Sequence, residues 1–301
     1  MTAKSDIIVV GAGPAGCAVA RAYALDGKKV VLLEAEAEGK SRKRFAGEWL
    51  HPQGVDALKS LGFDSITSMQ GRPQGRGFVV YPGHGELPVK LDYVEGQRGL
   101  AFHHGDLVDE MRQIVAQTEG VTFRYGVRVG SVDDQGVTLE SGERLEADRV
   151  VGADGRSSVV RRSLRGSGNH KAMSAMTGIL LEGVKAPYPD YGHVFLGKPS
   201  FLLGYEIAPS VVRICVDVPL KYKAEMKDPE WLIAAIRDTL PPVWRQPCEE
   251  QIRGGHLRWQ ANHFLARADY GNGRRVLIGD AAGHTHPLTA TGITNGLVDA
   301  M

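Results

Sequence analysis

The chain has 301 residues, 43% of them apolar, with 36 basic and 35 acidic side chains for a net charge of +1. That balance argues against an electrostatic nucleic-acid partner. The length supports one large domain or two modest ones with a sizeable core, and no apolar run approaches the roughly 20 residues that a spanning helix needs. Cys17, Cys215 and Cys248 are too dispersed for a metal pattern or a disulfide framework, which fits a reducing, cytoplasmic setting. The first strand begins within a few residues of the start, so no signal peptide is expected.

Residues 6–10 read as a buried strand, Gly11 to Gly16 as a turn, 17–25 as a helix of small residues, and 29–33 as a second strand. This is a βαβ unit and implies a parallel sheet. A helix is expected near 53–61. Short β runs broken by Gly and Pro follow over 72–94, with Gly83, His84 and Gly85 as a hairpin tip. A helix over 105–118 comes next, with His104 or its neighbours satisfying the N–H groups at its start. Two antiparallel stretches, TFRYGVRVGSVDD and GVTLESGERLEADRVVGADG, lead to β runs over 172–218. There Phe201, Leu202, Leu203 and Tyr205 are expected to line an apolar cavity. A helix near 229–240 precedes a loop. The last strand is 275–278, followed by Gly279-Asp280, a polar turn and a new helix from Gly292. The fold class is α/β: a Rossmann-like domain built from 1–70, 97–165 and 269–301, and a β-rich domain inserted as 71–96 and 166–268. The final helix reads as interrupted at 301, with a further helical region expected beyond it.

Three turns carry chemistry. Gly11-x-Gly13-x-x-Gly16, with Pro14 and Ala15 between, follows a strand and opens a helix, so the backbone can approach a pyrophosphate at the helix N-terminus. Glu34 ends the second strand, where an acid can bind a ribose diol. Asp154-Gly155 and Gly279-Asp280 each follow a further strand. His284 and His286 could hold a metal only with a third ligand that the pattern does not supply, so no metal is expected. His286-Pro287 reads as a shaped turn. Arg161-Arg162 and Arg274-Arg275 read as solvated faces or strand flanks.

Taken together, the three turns resemble those of the flavoprotein aromatic hydroxylases, the group A flavoprotein monooxygenases. The segments RFAGEWLHPQGVDALKSLGF, LAFHHGDLVDEMR, GHVFLGKPSFLLGYEIAPSVVRICVDVP and GDAAGHTHPLT are similar to squalene epoxidase (squalene monooxygenase) sequences, in the same order along most of the chain. The resemblance implies FAD as cofactor. Its ligands would be Glu34 with Ala35, Arg44, Arg112, the backbone near Val127 and Arg128, Asp154-Gly155, Asp280 on the ribitol, Pro287, and the Gly292-Ile293-Thr294 helix start. Phe78 stands where the family places a tyrosine, and His51 where it commonly has glutamine. These two, with Leu203, Tyr205, His286 and Pro287, form the expected pocket. Thr289-Ala290-Thr291-Gly292 replaces a Thr-Gly-Gly-Gly turn and adds side chains beside the flavin. The implied activity is insertion of one O2 oxygen into an apolar substrate, by epoxidation of an isoprenoid-like alkene or by hydroxylation or epoxidation of an aromatic or prenylated compound. NADPH or NADH would supply electrons directly or through a separate reductase. Peripheral membrane contact would lie beyond 301. A prenyl-chain reductase and a non-catalytic FAD-binding module remain open alternatives.

Overall fold

The structure, a computed structural model, describes residues 4–39, 47–68, 71–83, 86–166, 171–255, 257–268 and 270–301. Arg44, His84 and Gly85 lie outside the described residues.

Two large sheets organise the molecule. The first runs β8 (Val121–Arg124), β2 (Val30–Leu33), β1 (Ser5–Val10), β11 (Arg144–Gly152), β10 (Gly136–Leu139), β9 (Val129–Asp133). β11 changes partner along its length. Residues 144–146 pair antiparallel with β10, whereas its later residues pair parallel with β1 and, on the other side, with β17 (Arg275–Leu277). A parallel core thus carries an antiparallel meander. β8 departs from the expected antiparallel arrangement: Val30 faces Val121 and Leu33 faces Arg124 in a parallel register. Strand direction here follows from α4 (His104–Ala116), which returns the chain to the same edge of the sheet. A polar and apolar pattern within a strand does not encode that choice.

One face of this sheet is covered by α1 (Pro14–Leu25), α2 (Pro52–Ser60), α3 (Asp64–Ser68), α4 and α8 (Gly292–Val298), around Val9, Leu32, Phe63, Phe102 and Leu297. The other face packs Ile8, Leu33, Val137, Val150 and Leu277 against α5 (Val159–Arg165). Residues 17–20 of α1 are buried in succession, which their small size permits at close helix–sheet approach.

The second sheet runs β16 (Gln260–Phe264), β12 (Lys171–Glu182), β15 (Val211–Pro219), β14 (Leu202–Ala208), β13 (Tyr191–Phe195), β5 (Gly77–Tyr81), β6 (Val89–Asp92). Alternation gives it two apolar faces. Leu202, Ile214, Val216 and Phe195 face α6 (Pro229–Ile236) and α7 (Pro242–Arg253). Leu203, Tyr205, Cys215 and Met176 face the other way, toward a small sheet of β3 (Trp49–Leu50), β7 (Gly99–Ala101) and β4 (Gln74–Gly75). Leu202 is therefore not a cavity residue: it packs on the opposite side from Leu203.

The expected loop after 240 is instead α7. Its two prolines, after a third at the N-cap, argue locally against a long helix, yet Pro242 occupies the first turn, and Trp244, Cys248 and Ile252 form a buried i, i+4, i+8 stripe. Trp244 is fully buried and donates from Nε1 to the Lys185 carbonyl at 2.9 Å. Tertiary burial outweighs the hydrogen bond lost at Pro247.

Candidate functional site

The first turn assembles through two close approaches and one opening. A Cβ on Gly16 would lie 1.8 Å from the Gly11 carbonyl oxygen, and one on Gly11 would lie 2.6 Å from the Ala153 oxygen. Gly11 also has φ +96°, a conformation suited to glycine. A Cβ on Gly13, by contrast, would meet nothing within 4 Å. The first and third glycines thus let β1, α1 and β11 close together, and the second leaves room above the helix N-terminus. Gly13 is the N-cap of α1, with no side-chain cap. Its carbonyl accepts from Cys17 N–H, Pro14 has no N–H, and the N–H groups of Ala15 and Gly16 have no partner within the helix. An anion fits that gap.

Glu34 sits at the end of β2, 8% exposed. Its Oε2 accepts from Ala12 N–H at 2.9 Å and its Oε1 from Glu36 N–H at 2.9 Å. Arg112, reaching in from α4, pairs with Oε2 at 2.8 Å and donates from Nε to the Ala12 carbonyl at 2.9 Å. Glu34 therefore shapes the glycine turn. Arg112 Nη1 is buried without a protein partner, an unmet donor at the rim of the cradle. Val127 N–H donates to the Glu34 carbonyl at 2.8 Å, and Arg128 is an exposed neighbour paired loosely with Glu140. Ala35, next to Glu34, is exposed.

The second and third turns are tied to each other. Asp154 Oδ2 accepts from Val159 N–H at 2.6 Å, while Oδ1 is buried without a partner, and burial pushes this carboxyl above its ordinary range. Gly155 has φ +72° and open space beside it. Arg161 was expected on a solvated face. It is instead 2% exposed and donates to the carbonyls of Asp280, Ala281 and Arg156. Arg156 approaches Asp280 Oδ2 at 3.4 Å. Sequence reading missed this because a cation in a short amphipathic helix carries no sign of which carbonyls it will meet.

Gly279 (φ +56°) brings the third turn onto α1, where Ala15, Gly279 and Gly296 pack almost backbone to backbone. Gly279 N–H donates to Asp299, which also pairs with Arg267. Asp280 Oδ1 lies 4.0 Å from the Cβ position of Gly292, at the start of α8. Ile293 packs into the core beside Gly47, and Thr294 Oγ1 accepts from His51 N–H at 3.1 Å.

Beyond this turn lies an aromatic wall. Trp49 is 5.0 Å from Phe78 and 5.9 Å from Tyr205 between ring centroids, and His51 is 5.8 Å from Phe78. Leu203 and Cys215 complete it. Phe78, His51, Tyr205 and Leu203 are thus brought together, with Trp49 and Tyr93 as members the sequence did not single out. Glu48 anchors the wall: its carboxylate, 1% exposed, takes two hydrogen bonds from Arg213 of β15 at 2.8 and 3.1 Å. Burial lowers the proton affinity of that guanidinium, but the Glu48 pair more than offsets this.

His286 caps the turn it opens. Its Nδ1 accepts from Leu288 N–H at 3.3 Å, so Nε2 carries the proton, lying 3.2 Å from Asp217 Oδ1 and 3.0 Å from Ser174 Oγ. Asp217 also accepts from Ser174, Ser200 and Asn262. Serine and aspartate sit on the same ring nitrogen, which is not the relay of a nucleophilic triad. The cluster clamps the 286–289 turn, with Pro287 and Leu288, to the second sheet. His284 turns elsewhere, toward the Asp280 carbonyl. His104 Nδ1 lies 2.9 Å from the Gly47 carbonyl.

The family model for squalene epoxidase matches residues 146–301, and that for FAD dependent oxidoreductase matches 6–101. Squalene epoxidase 3 of Arabidopsis thaliana is 30% identical over 99% of this chain and 60% of its own length. The squalene epoxidase of Saccharomyces cerevisiae is 30% identical over 100% of this chain and 69% of its own. The chain spans little more than half the length of several other curated relatives. Among solved structures, Pseudomonas aeruginosa PqsL in complex with 2-aminobenzoylacetate superposes with a TM-score of 0.81 at 19% identity, covering 99% of this chain and 84% of that one. At that identity the likeness establishes a shared fold: a Rossmann-like unit joined to a β-rich sheet. The match over 146–301, with the whole-chain similarity to the yeast and plant proteins, shows that the chain belongs to the squalene epoxidase family.

Proposed function

We propose that this chain holds FAD in the cradle of the three turns and acts as a monooxygenase, placing one oxygen atom of O2 on an apolar substrate. The substrate class is an isoprenoid-like alkene, or an aromatic or prenylated compound. NADPH or NADH supplies electrons, directly or through a separate reductase. The observation that carries the reading is the adjacency of two surfaces: the 286–292 turn that follows Asp280, and the aromatic wall of Trp49, Phe78 and Tyr205, joined through His51. Bound flavin supplies the redox chemistry with O2.

The chain's own groups have separable roles in this reading. Ala15 and Gly16 N–H receive the diphosphate, and Glu34 the adenosine ribose. Arg112 Nη1, buried without a protein partner, would donate to the cofactor. Asp280 takes the ribitol. Trp49, Phe78, Leu203 and Tyr205 keep water from the reacting face, which protects a reactive oxygen species from unproductive decay. Among the described residues no helix is long and apolar enough to cross a membrane.

Asp280→Ala is expected to weaken FAD affinity about tenfold, the scale of one hydrogen bond to a hydroxyl. Its pair with Arg156 is partly exposed, so folding stability should change little. Dialysed mutant protein that keeps the full yellow absorbance would remove Asp280 from the cofactor set. For the reaction, purified protein supplied with FAD, NADPH, a reductase and squalene or a prenylated aromatic under 18O2 should give product carrying one labelled oxygen. A reduced, unlabelled product would overturn the monooxygenase reading in favour of a prenyl-chain reductase. Retained flavin that turns over with no donor would point to a binding module.

A further inference from the structure

The turn that follows His286 is strained and held from outside. Ala290 has φ +51°, a left-handed conformation that costs a non-glycine residue free energy and persists where its surroundings impose it. On one side His286 is fixed by Asp217 and Ser174. On the other, His51 Nε2 lies 2.8 Å from the Thr289 carbonyl oxygen. A carbonyl only accepts, so Nε2 bears the hydrogen and, in the neutral ring, Nδ1 is the acceptor. Tyr93 Oη, 2.7 Å from Nδ1, therefore donates to it. The same hydroxyl accepts from Trp49 Nε1–H at 3.0 Å.

The hydrogen bonds thus run one way, from Trp49 to Tyr93 to His51 to Thr289, with each donor used once. The His51 backbone adds a bond to Thr294 inside α8. Burial lowers the His51 pKa below its usual 6.5, in keeping with the neutral ring the sequence of bonds requires. Trp49 and Tyr93 come from the small sheet and from the segment after β6, so the relay couples the apolar wall to the turn.

We propose that His51, itself oriented by Tyr93 and Trp49, is a positioning residue that holds the Thr289–Gly292 turn in the conformation needed by the cofactor. The inference rests on the FAD reading above. It also makes the turn responsive to what fills the pocket, because the relay's first two members are pocket-wall side chains.

The test uses His51→Leu, Tyr93→Phe and His51→Gln. Leucine removes both ring hydrogen bonds. Phenylalanine removes the relay's middle member while leaving its ring. Glutamine keeps one donor and one acceptor. Two quantities are measured: amide hydrogen exchange over residues 290–296 in the cofactor-free protein, and FAD affinity by quenching of flavin fluorescence. His51→Leu and Tyr93→Phe should speed exchange in this segment about tenfold and weaken FAD binding by a similar factor, the scale of one or two hydrogen bonds. His51→Gln should restore both to within about twofold. Unchanged exchange in His51→Leu overturns the relay. Faster exchange with wild-type FAD affinity overturns the positioning role, as does a glutamine variant that folds yet fails to recover affinity. Wild-type protein that binds no FAD refutes the cofactor reading instead, and the exchange data still decide whether the relay holds the turn.

Discussion

Gly13→Asp should abolish flavin retention while leaving the cofactor-free protein at least as stable as wild type. Gly13 has φ −75° and ψ −176°, an extended conformation open to any residue, and a Cβ there meets nothing within 4 Å. Aspartate is a favoured N-cap and its carboxylate complements the helix dipole, so α1 should gain rather than lose. The same carboxylate would fill the space assigned to the diphosphate and repel it. Affinity for FAD should fall about a hundredfold or more, from lost charge-assisted hydrogen bonds plus repulsion. Flavin absorbance after desalting and the melting temperature of the stripped protein check the two halves separately. Gly16→Ala is the contrasting variant. Its Cβ would sit 1.8 Å from the Gly11 oxygen, so stability itself should drop by about 1–3 kcal/mol as β1 and α1 are forced apart. Gly13→Asp protein that retains stoichiometric flavin would falsify the placement of the anion in this cradle.

The second large effect concerns Arg213. Arg213→Met leaves Glu48, 1% exposed, as a buried carboxylate without its bidentate partner. Breaking such a pair costs about 3–5 kcal/mol, which for a chain of this size corresponds to a fall in melting temperature of roughly 10 °C. Glu48→Leu combined with Arg213→Met should recover much of this, because the desolvated charge is gone. Pocket function should recover less than stability. Glu48 precedes Trp49, two residues before His51, and the pair sets the distance between that strand and β15. Thermal unfolding of the single and double variants, read beside FAD affinity, separates the energetic from the positional role. Equal melting temperatures for wild type and Arg213→Met would show that the pair is not closed off from water.

Much of the molecule follows from local rules. Residues 6–33 declare a βαβ unit through one buried strand, three spaced glycines and a run of small residues that a helix can lay on a sheet. Family resemblance, carried by short ordered segments, led to the same lineage that the whole-chain comparisons reveal. Local rules failed where a second element decided the outcome. The 242–253 stretch looks like a loop because of its prolines, and becomes a helix because Trp244, Cys248 and Ile252 bury one stripe against β12 and its neighbours. Leu202 and Leu203 are indistinguishable in composition, but the pleat sends them to opposite faces.

The sequence by itself determined the phosphate-type turn, the order of strands and helices around it, and the family, because each depends on neighbours within a few residues or on the linear order of short segments. Only the tertiary structure decided which way β8 runs, that Arg161 is buried under the third turn, and that His286 binds Asp217. It also decided that His51 reaches Thr289 and Thr294, some 240 residues away in the chain. The physical reason is that a hydrogen bond or ion pair needs its partner within about 3 Å, and strand pairing needs a neighbouring strand. Those distances are set when the two sheets pack, not by the spacing of residues along the chain.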